Sequence, residues 1–227
     1  MKNIFIFVVL FLFPTVSLVA QKGQFFSSEK ELSSSLINAI YQDQRNYIWI
    51  ATEDGLNKYD GIRFTTYVND PADSTSISNN YVRSLFEDSH GRFWIGCINA
   101  LHLYNRSTDN FREIPMYNER KRIFTHITSI IESRDGEIWM ATSGEGIIRI
   151  KDDCSVIRTD NQLSARLSSL HLSYIYQDSH GILWIASENQ GLNMYDPKKD
   201  EVTVFNAPSL IGSNQISSVC EDADGNL

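Results

Sequence analysis

Beyond residue 20, this 227-residue chain has no apolar stretch approaching the ~20 residues that a bilayer crossing takes. Basic residues are also scarce. Twenty Lys and Arg stand against 28 Asp and Glu, a formal net charge of −8, which argues against nucleic acid or an anionic membrane as a main partner. Glu119-Arg120-Lys121-Arg122 is the only basic cluster and reads as a solvated loop between repeats. The 3.6-residue apolar periodicity of a helical repeat is missing. So are a nucleophile elbow, a paired-carboxylate constellation and a phosphate loop, so nothing points to catalysis.

One apolar run of ten does exist, Ile4 to Phe13, after the basic Lys2 and before Pro14 to Ala20. That is the pattern of a secretory signal peptide over residues 1–20, with cleavage between Ala20 and Gln21. No cysteine follows the run, so a lipid-anchored precursor is not expected. The mature chain would carry 19 basic and 28 acidic residues, a net charge of −9.

The chain has four tryptophans, Trp49, Trp94, Trp139 and Trp184, each 45 residues after the last. Such a period means one supersecondary unit copied along the chain. Twelve residues before each tryptophan lie Ile37, Val82, Ile127 and Leu172, and nine before lie Ile40, Leu85, Ile130 and Ile175. Eight before lie Tyr41, Phe86, Ile131 and Tyr176. This short run reads as a buried strand. Arg45-Asn46, His90-Gly91, Asp135-Gly136 and His180-Gly181 then suggest a tight two-residue hairpin. The tryptophan strand follows, with Ala51, Gly96, Ala141 or Ala186 two places on, small enough for a neighbouring sheet to approach closely. A turn with Gly55, Gly146 or Gly191, and Ala100 as the exception, leads to a third strand ending near Tyr59, Tyr104, Ile150 or Tyr195. A more polar fourth strand contains Phe64, Phe111, Val156 or Val202.

Four short antiparallel strands per 45 residues predict an all-β fold, a β-propeller of four-stranded antiparallel blades. About four blades are complete and the ring is not. Their expected bounds are 34–78, 79–123, 124–168 and 169–212. Residues 21–33 precede them, with Gln24-Phe25-Phe26 as a blade-closing fourth strand. A fifth blade starts at 213–227 with a strand over Gln215 to Asp222, and the chain stops one position before its tryptophan is due. A fragment left with that open strand edge is expected to be aggregation-prone or only partly folded. The tryptophan itself reads as an inter-blade packing residue.

The period also sorts the reactive residues. Cys97 replaces a small hydroxyl (Thr52, Thr142, Ser187), Cys220 falls in the aromatic core slot and Cys154 in a polar link, so buried free thiols are expected rather than a disulfide. Asp88-x-x-Gly91-x-x-Trp94 resembles the aspartate box of sialidase-type propellers, yet the aspartate best serves the turn amides. Asp222-x-Asp224-Gly225 shares that turn register, which outweighs its faint likeness to a calcium loop. His90 and His180 sit at hairpin tips. His126 and His171 share a register thirteen before tryptophan with Tyr81, and would crown one end of a central channel lined by the first strands. Tyr81, His126 and His171 are the candidate ligand-binding residues, against the plainer reading of solvated strand-end side chains. No catalytic residue, metal site or cofactor is expected.

The motif Asp178-Ser-His-Gly-Ile-Leu-Trp184-Ile-Ala-Ser followed by Gly191-Leu-Asn-Met-Tyr195-Asp196 resembles the two-component-regulator propeller repeat. The stretch from Leu36-Ile-Asn-Ala-Ile to Gly55-Leu-Asn-Lys-Tyr-Asp-Gly61 is similar to the start of periplasmic sensor regions of hybrid two-component systems from gut Bacteroidetes. In that family two propellers, a β-sandwich, a membrane helix, a histidine kinase, a receiver and a DNA-binding module follow the signal peptide, and glycan fragments are the signal. The resemblance implies a periplasmic, oligosaccharide-sensing propeller without kinase or DNA-binding parts. Its partners would be a small oligosaccharide, the remaining blades and sensor modules, and a second copy in the intact receptor, with no nucleic acid. Ala100, Ser133 and Ile150 depart from the motif as ordinary repeat drift. The alternative is a fragment of a secreted propeller glycosidase or lyase, and a third reading is a closed mini-propeller.

Overall fold

The computed structural model describes residues 31–150, 157–207 and 211–227. The expected signal peptide, the Gln24-Phe25-Phe26 strand, Cys154 and Val156 lie outside these residues. Four sheets follow one another along the chain, each built on four antiparallel strands. Blade 1 is β1 (Ile37–Gln42), β2 (Ile48–Thr52), β3 (Gly55–Tyr59) and β4 (Phe64–Tyr67). Blade 2 is β5 (Val82–Glu87), β6 (Phe93–Cys97), β7 (Ala100–Asn105) and β8 (Asn110–Glu113). A linker hairpin, β9 (Met116–Asn118) and β10 (Lys121–Ile123), comes next. Blade 3 is β11 (His126–Glu132), β12 (Ile138–Ser143), β13 (Ile147–Ile150) and β14 (Ile157–Thr159). After a one-turn helix, α1 (Asn161–Ser164), blade 4 is β15 (Leu172–Gln177), β16 (Leu183–Ser187), β17 (Leu192–Asp196) and β18 (Glu201–Phe205). These are propeller blades in an open arc, with β1 against β5, β5 against β11 and β11 against β15.

The core is divided by interface. Trp49 packs with Val82, Phe93 and Ile95, Trp94 with Ile127, Met140 and Ile148, and Trp139 with Leu172, Leu183 and Ile185. Each cluster joins one blade to the next and holds one tryptophan, which supports the packing role inferred from the sequence. Trp49, Trp94 and Trp139 are 0–2% exposed, whereas Trp184 is only half-buried, stacked on Phe205 of its own blade. Gly96 makes the closest approach: a Cβ there would lie 2.7 Å from the Cβ of Ile127 in the next blade. At the first interface Lys58 Nζ donates to Tyr104 Oη (2.9 Å) and Asp109 (2.8 Å), and lies 5.2–5.8 Å from the ring centres of Tyr47, Trp49, Tyr67 and Tyr104.

Several expectations are corrected. The first hairpin is not a two-residue turn: Gln42 pairs with Ile48 and Glu87 with Phe93, leaving five-residue loops. An aspartate holds the loop, its Oδ1 accepting from two loop amides, as Asp88 does from His90 N (3.0 Å) and Arg92 N (2.9 Å). The positive φ is where expected, on Asn46, Gly91, Gly136 and Gly181. In the blade 2 turn at Ala100 it moves to Asn99, φ 64°. The first strand of blade 1 is not buried. Ile37 and Ile40 are 45% and 63% exposed, because among the described residues no blade covers that side of β1.

The basic cluster is solvent-exposed, but as the tip of the β9–β10 hairpin, which joins the blade 3 sheet by parallel pairing of β9 with β14. Gln215 to Asp222 forms no strand, since no described strand lies beside it to complete a ladder. Cys220 is therefore exposed, not in a core slot. Cys97 is buried and free, its thiol pushed up to about 12 by burial.

Candidate functional site: a cavity lined by strand bulges

Each first strand is irregular at the same point. The ladder passes from Ile37↔Thr52 to Ala39↔Ala51, from Val82↔Cys97 to Ser84↔Gly96, from Ile127↔Thr142 to Ser129↔Ala141, and from Leu172↔Ser187 to Tyr174↔Ala186. One residue per blade is left over: Asn38, Arg83, Thr128 and Ser173, eleven positions before each tryptophan. A bulge re-aims its extra side chain away from the ladder. All four line one open cavity of about 720 Å³ between the first strands and Ser217-Ser218.

The cavity wall is mixed. Ile40, Leu85, Phe86, Ile130 and Ile131 supply apolar surface, and Tyr81, Ser84, Ser129 and Tyr174 supply hydroxyls. Most polar groups are also used to fasten blades. Asn38 Nδ2 donates to Val82 O (2.8 Å), Ser84 Oγ to Ile127 O (2.9 Å), Ser129 Oγ to Ile175 O (3.4 Å) and Ser173 Oγ to Ile216 O, while Thr128 Oγ1 donates to Ala141 O (3.0 Å) within blade 3. Burial raises the Tyr174 phenol above its ordinary range. Tyr81 is raised by burial and by Glu53, whose Oε1 accepts from its hydroxyl at 3.1 Å.

Of the three residues singled out in the sequence, Tyr81 lines the cavity. His126 and His171 do not; both flank Ser143, His126 as its ladder partner and His171 through a bridge to it, with His171 Nδ1 3.3 Å from Ser143 Oγ. Ser143 Oγ donates to Glu188 at 2.8 Å. A rim of Tyr81, His126 and His171 with Glu53, Ser143 and Glu188 thus follows the inter-blade seams. His90 and His180 are exposed at hairpin tips. Among the described residues, no group of three His, Cys, Asp or Glu side chains is placed to hold a metal.

The bulge register was missed in the sequence, although Asn38, Arg83, Thr128 and Ser173 recur at the tryptophan period. A second missed feature joins blades at the opposite end. Gln44 N donates to Glu87 (2.7 Å), Ser89 N to Glu132 (2.7 Å), Arg134 N to Gln177 (2.8 Å) and Ser179 N to Glu221 (2.6 Å). A loop amide of each blade is latched by an acceptor of the next, and Glu221 carries the pattern into the strandless residues 213–227. The constant interval of about one repeat was the available signal.

The repeat described as "Two component regulator propeller" matches residues 31–54, 76–99, 122–144 and 166–189. Each match covers the first two strands of one blade. Over 83 residues the chain is 47% identical to Histidine kinase P4 of Formosa agariphila, which covers 34% of this chain and 6% of that protein. Among solved structures, the extracellular domain of a hybrid two-component system of B. thetaiotaomicron superposes with a TM-score of 0.77 at 27% identity, over 89% of this chain and 28% of that one. Virginiamycin B lyase from Staphylococcus aureus, at TM-score 0.56 and 19% identity over 76% of this chain and 56% of that one, is alike in fold alone. The chain therefore spans a small part of the histidine kinase and under a third of the two-component structure. The four matches fall on the first two strands of the four blades, so the chain carries two-component regulator propeller repeats.

Proposed function

We propose that this chain is the ligand-recognising part of the extracytoplasmic sensor region of a hybrid two-component receptor. On this reading it binds a small oligosaccharide in the central cavity and does no chemistry on it. The observation that carries the reading is the cavity of about 720 Å³, into which one bulge residue per blade is turned. Its size lies within the ~300–1,000 Å³ usual for small-ligand sites. Hydroxyl donors on an apolar wall suit a sugar, which presents both hydroxyls and C–H faces. Tyr81 is assigned a direct ligand contact, with His126 and His171 on the rim beyond it. Similarity to the extracellular domain of a two-component system and to a histidine kinase supports the receptor context. The secretory signal pattern of residues 1–20 supports export. Occupancy would be relayed by the remaining blades and modules of the receptor, paired with a second copy.

Calorimetric titration of the full chain with a panel of neutral and acidic oligosaccharides tests this. Binding is expected for at least one saccharide, weakened about tenfold by Tyr81→Phe, as loss of one hydroxyl contact predicts. Chromatography should show the saccharide unchanged after incubation. Shortened or unsaturated products would replace the sensor reading with the glycosidase or lyase one.

A further inference from the structure

We infer that the ligand of the central cavity is anionic, a saccharide carrying a carboxylate or a sulfate, and that Arg83 binds the charged group. This deepens the oligosaccharide reading above and rests on it.

The first support is the charge of the wall. The chain has 28 carboxylate side chains and a net charge of −8, yet none of the 17 residues lining the cavity is Asp or Glu, and one is arginine. The wall thus carries one cation and no carboxylate of its own, with Glu53 behind Tyr81.

The second is what Arg83 lacks. Two other partly buried arginines here sit between two carboxylates, and a third, Arg92, is paired with Asp88. Arg106 reaches Asp43 (2.8 Å) and Glu87 (2.6 Å), and Arg149 reaches Glu137 (2.6 Å) and Asp160 (3.0 Å). Arg83 is also partly buried, but among the described residues no carboxylate lies within ion-pair distance of it. Its neighbour is the Tyr81 hydroxyl, whose proton is already directed to Glu53. Withdrawing a guanidinium from water without an anion is unfavourable, so the site is incomplete until a ligand supplies one.

The third is the placement of Arg83. It is the bulge residue of β5, as Asn38, Thr128 and Ser173 are of β1, β11 and β15. Those three direct their hydrogen-bonding groups to backbone carbonyls, whereas Arg83 reaches the Tyr81 hydroxyl on the cavity wall and keeps further N–H groups to offer a guest. The planar fork of a guanidinium matches the two oxygens of a carboxylate or sulfate. Tyr81, Ser129 and Tyr174 on the same wall can meet the sugar hydroxyls.

The test titrates the full chain with digalacturonate, a monosulfated disaccharide and neutral cellobiose at low and high salt. One or both anionic probes should bind at least about tenfold tighter than cellobiose, and salt should weaken that binding. The two anionic arms separate carboxylate from sulfate. Arg83→Gln should abolish the preference while leaving tryptophan emission unchanged, and Arg83→Lys should retain part of it. Cellobiose binding as tightly as the anionic probes, or unchanged anionic affinity in Arg83→Gln, would overturn the anionic assignment and leave the oligosaccharide reading standing. Failure of every saccharide, neutral or charged, would remove both.

Discussion

Blades 2 and 3 close the same first hairpin with different chemistry. In blade 2, Asp88 is fully buried and accepts from His90 N, Arg92 N, Arg92 Nε and, at 2.9 Å, the Trp94 indole. Blade 3 has Ser133 there. Its loop closes with the same backbone bonds, Ser133 N to Glu137 O and Gly136 N to Ser133 O, matching Asp88 N to Arg92 O and Gly91 N to Asp88 O. The Trp139 indole nitrogen and Ser133 Oγ are left buried without a partner among the described residues, and the Arg149 guanidinium lies 4.2 Å from the centre of the Trp139 ring. Backbone conformation at the glycine therefore suffices to make the loop. The carboxylate's separate task is to satisfy polar groups that burial of the tryptophan would otherwise strand.

If that division holds, Asp88→Ala should produce the largest loss. It strands the indole and two loop amides and removes the Asp88–Arg92 ion pair, so about 3–5 kcal/mol should disappear in denaturant unfolding. An effect under about 1 kcal/mol would show that the carboxylate is as dispensable in blade 2 as in blade 3.

A second contrast is acid-sensitive. His102 is 1% exposed in blade 2, where it accepts from Ser78 N with Nε2 (3.2 Å) while Nδ1 has no partner among the described residues; the apolar Ile148 stands at the matching place in blade 3. Burial pushes His102 down to about 4, against the opposing pull of Glu113. The unfolded chain takes up a proton near 6.5 that the folded chain refuses until about 4. Stability is thus highest above pH 6.5 and falls as pH drops through that window, by up to about 3 kcal/mol. Asn57 and Asn193 hold the equivalent position in blades 1 and 4, each accepting a linker amide and donating to a strand carbonyl. His102→Asn should therefore fold at pH 7 and lose this part of the acid limb, as followed by thermal melts between pH 4 and 7.

The smallest effect runs the other way. Ser133→Asp should give the Trp139 indole its acceptor and raise stability by about 0.5–1.5 kcal/mol in the same denaturant experiment. A decrease would mean that Arg149, held by Glu137 and Asp160, already compensates for the missing carboxylate.

The tryptophan period made the blades, the glycine turns, the small residue at Gly96 and the packing role of Trp49 legible, because each depends on local pattern and recurs. The candidate site was only partly legible. Tyr81 could be singled out by register, but Arg83 could not, since nothing in a strand's alternation marks which residue will be extruded as a bulge. Cys220 was misplaced because register names a slot without saying whether a partner strand fills it. The β9–β10 hairpin was missed for the opposite reason: it occurs once, and periodicity is silent about what does not repeat.

The latch between blades has a direction. Each blade offers a loop amide on one side and an acceptor on the other, from Gln44 N to Glu87 through Ser179 N to Glu221. Such a contact is heterologous: the surface that gives differs from the surface that receives, so units add head to tail and a rotation that closes makes a ring. Two identical faces brought together would set donor against donor or acceptor against acceptor. The latch thus acts as a polarity mark, fixing which way round any further unit can join the stack.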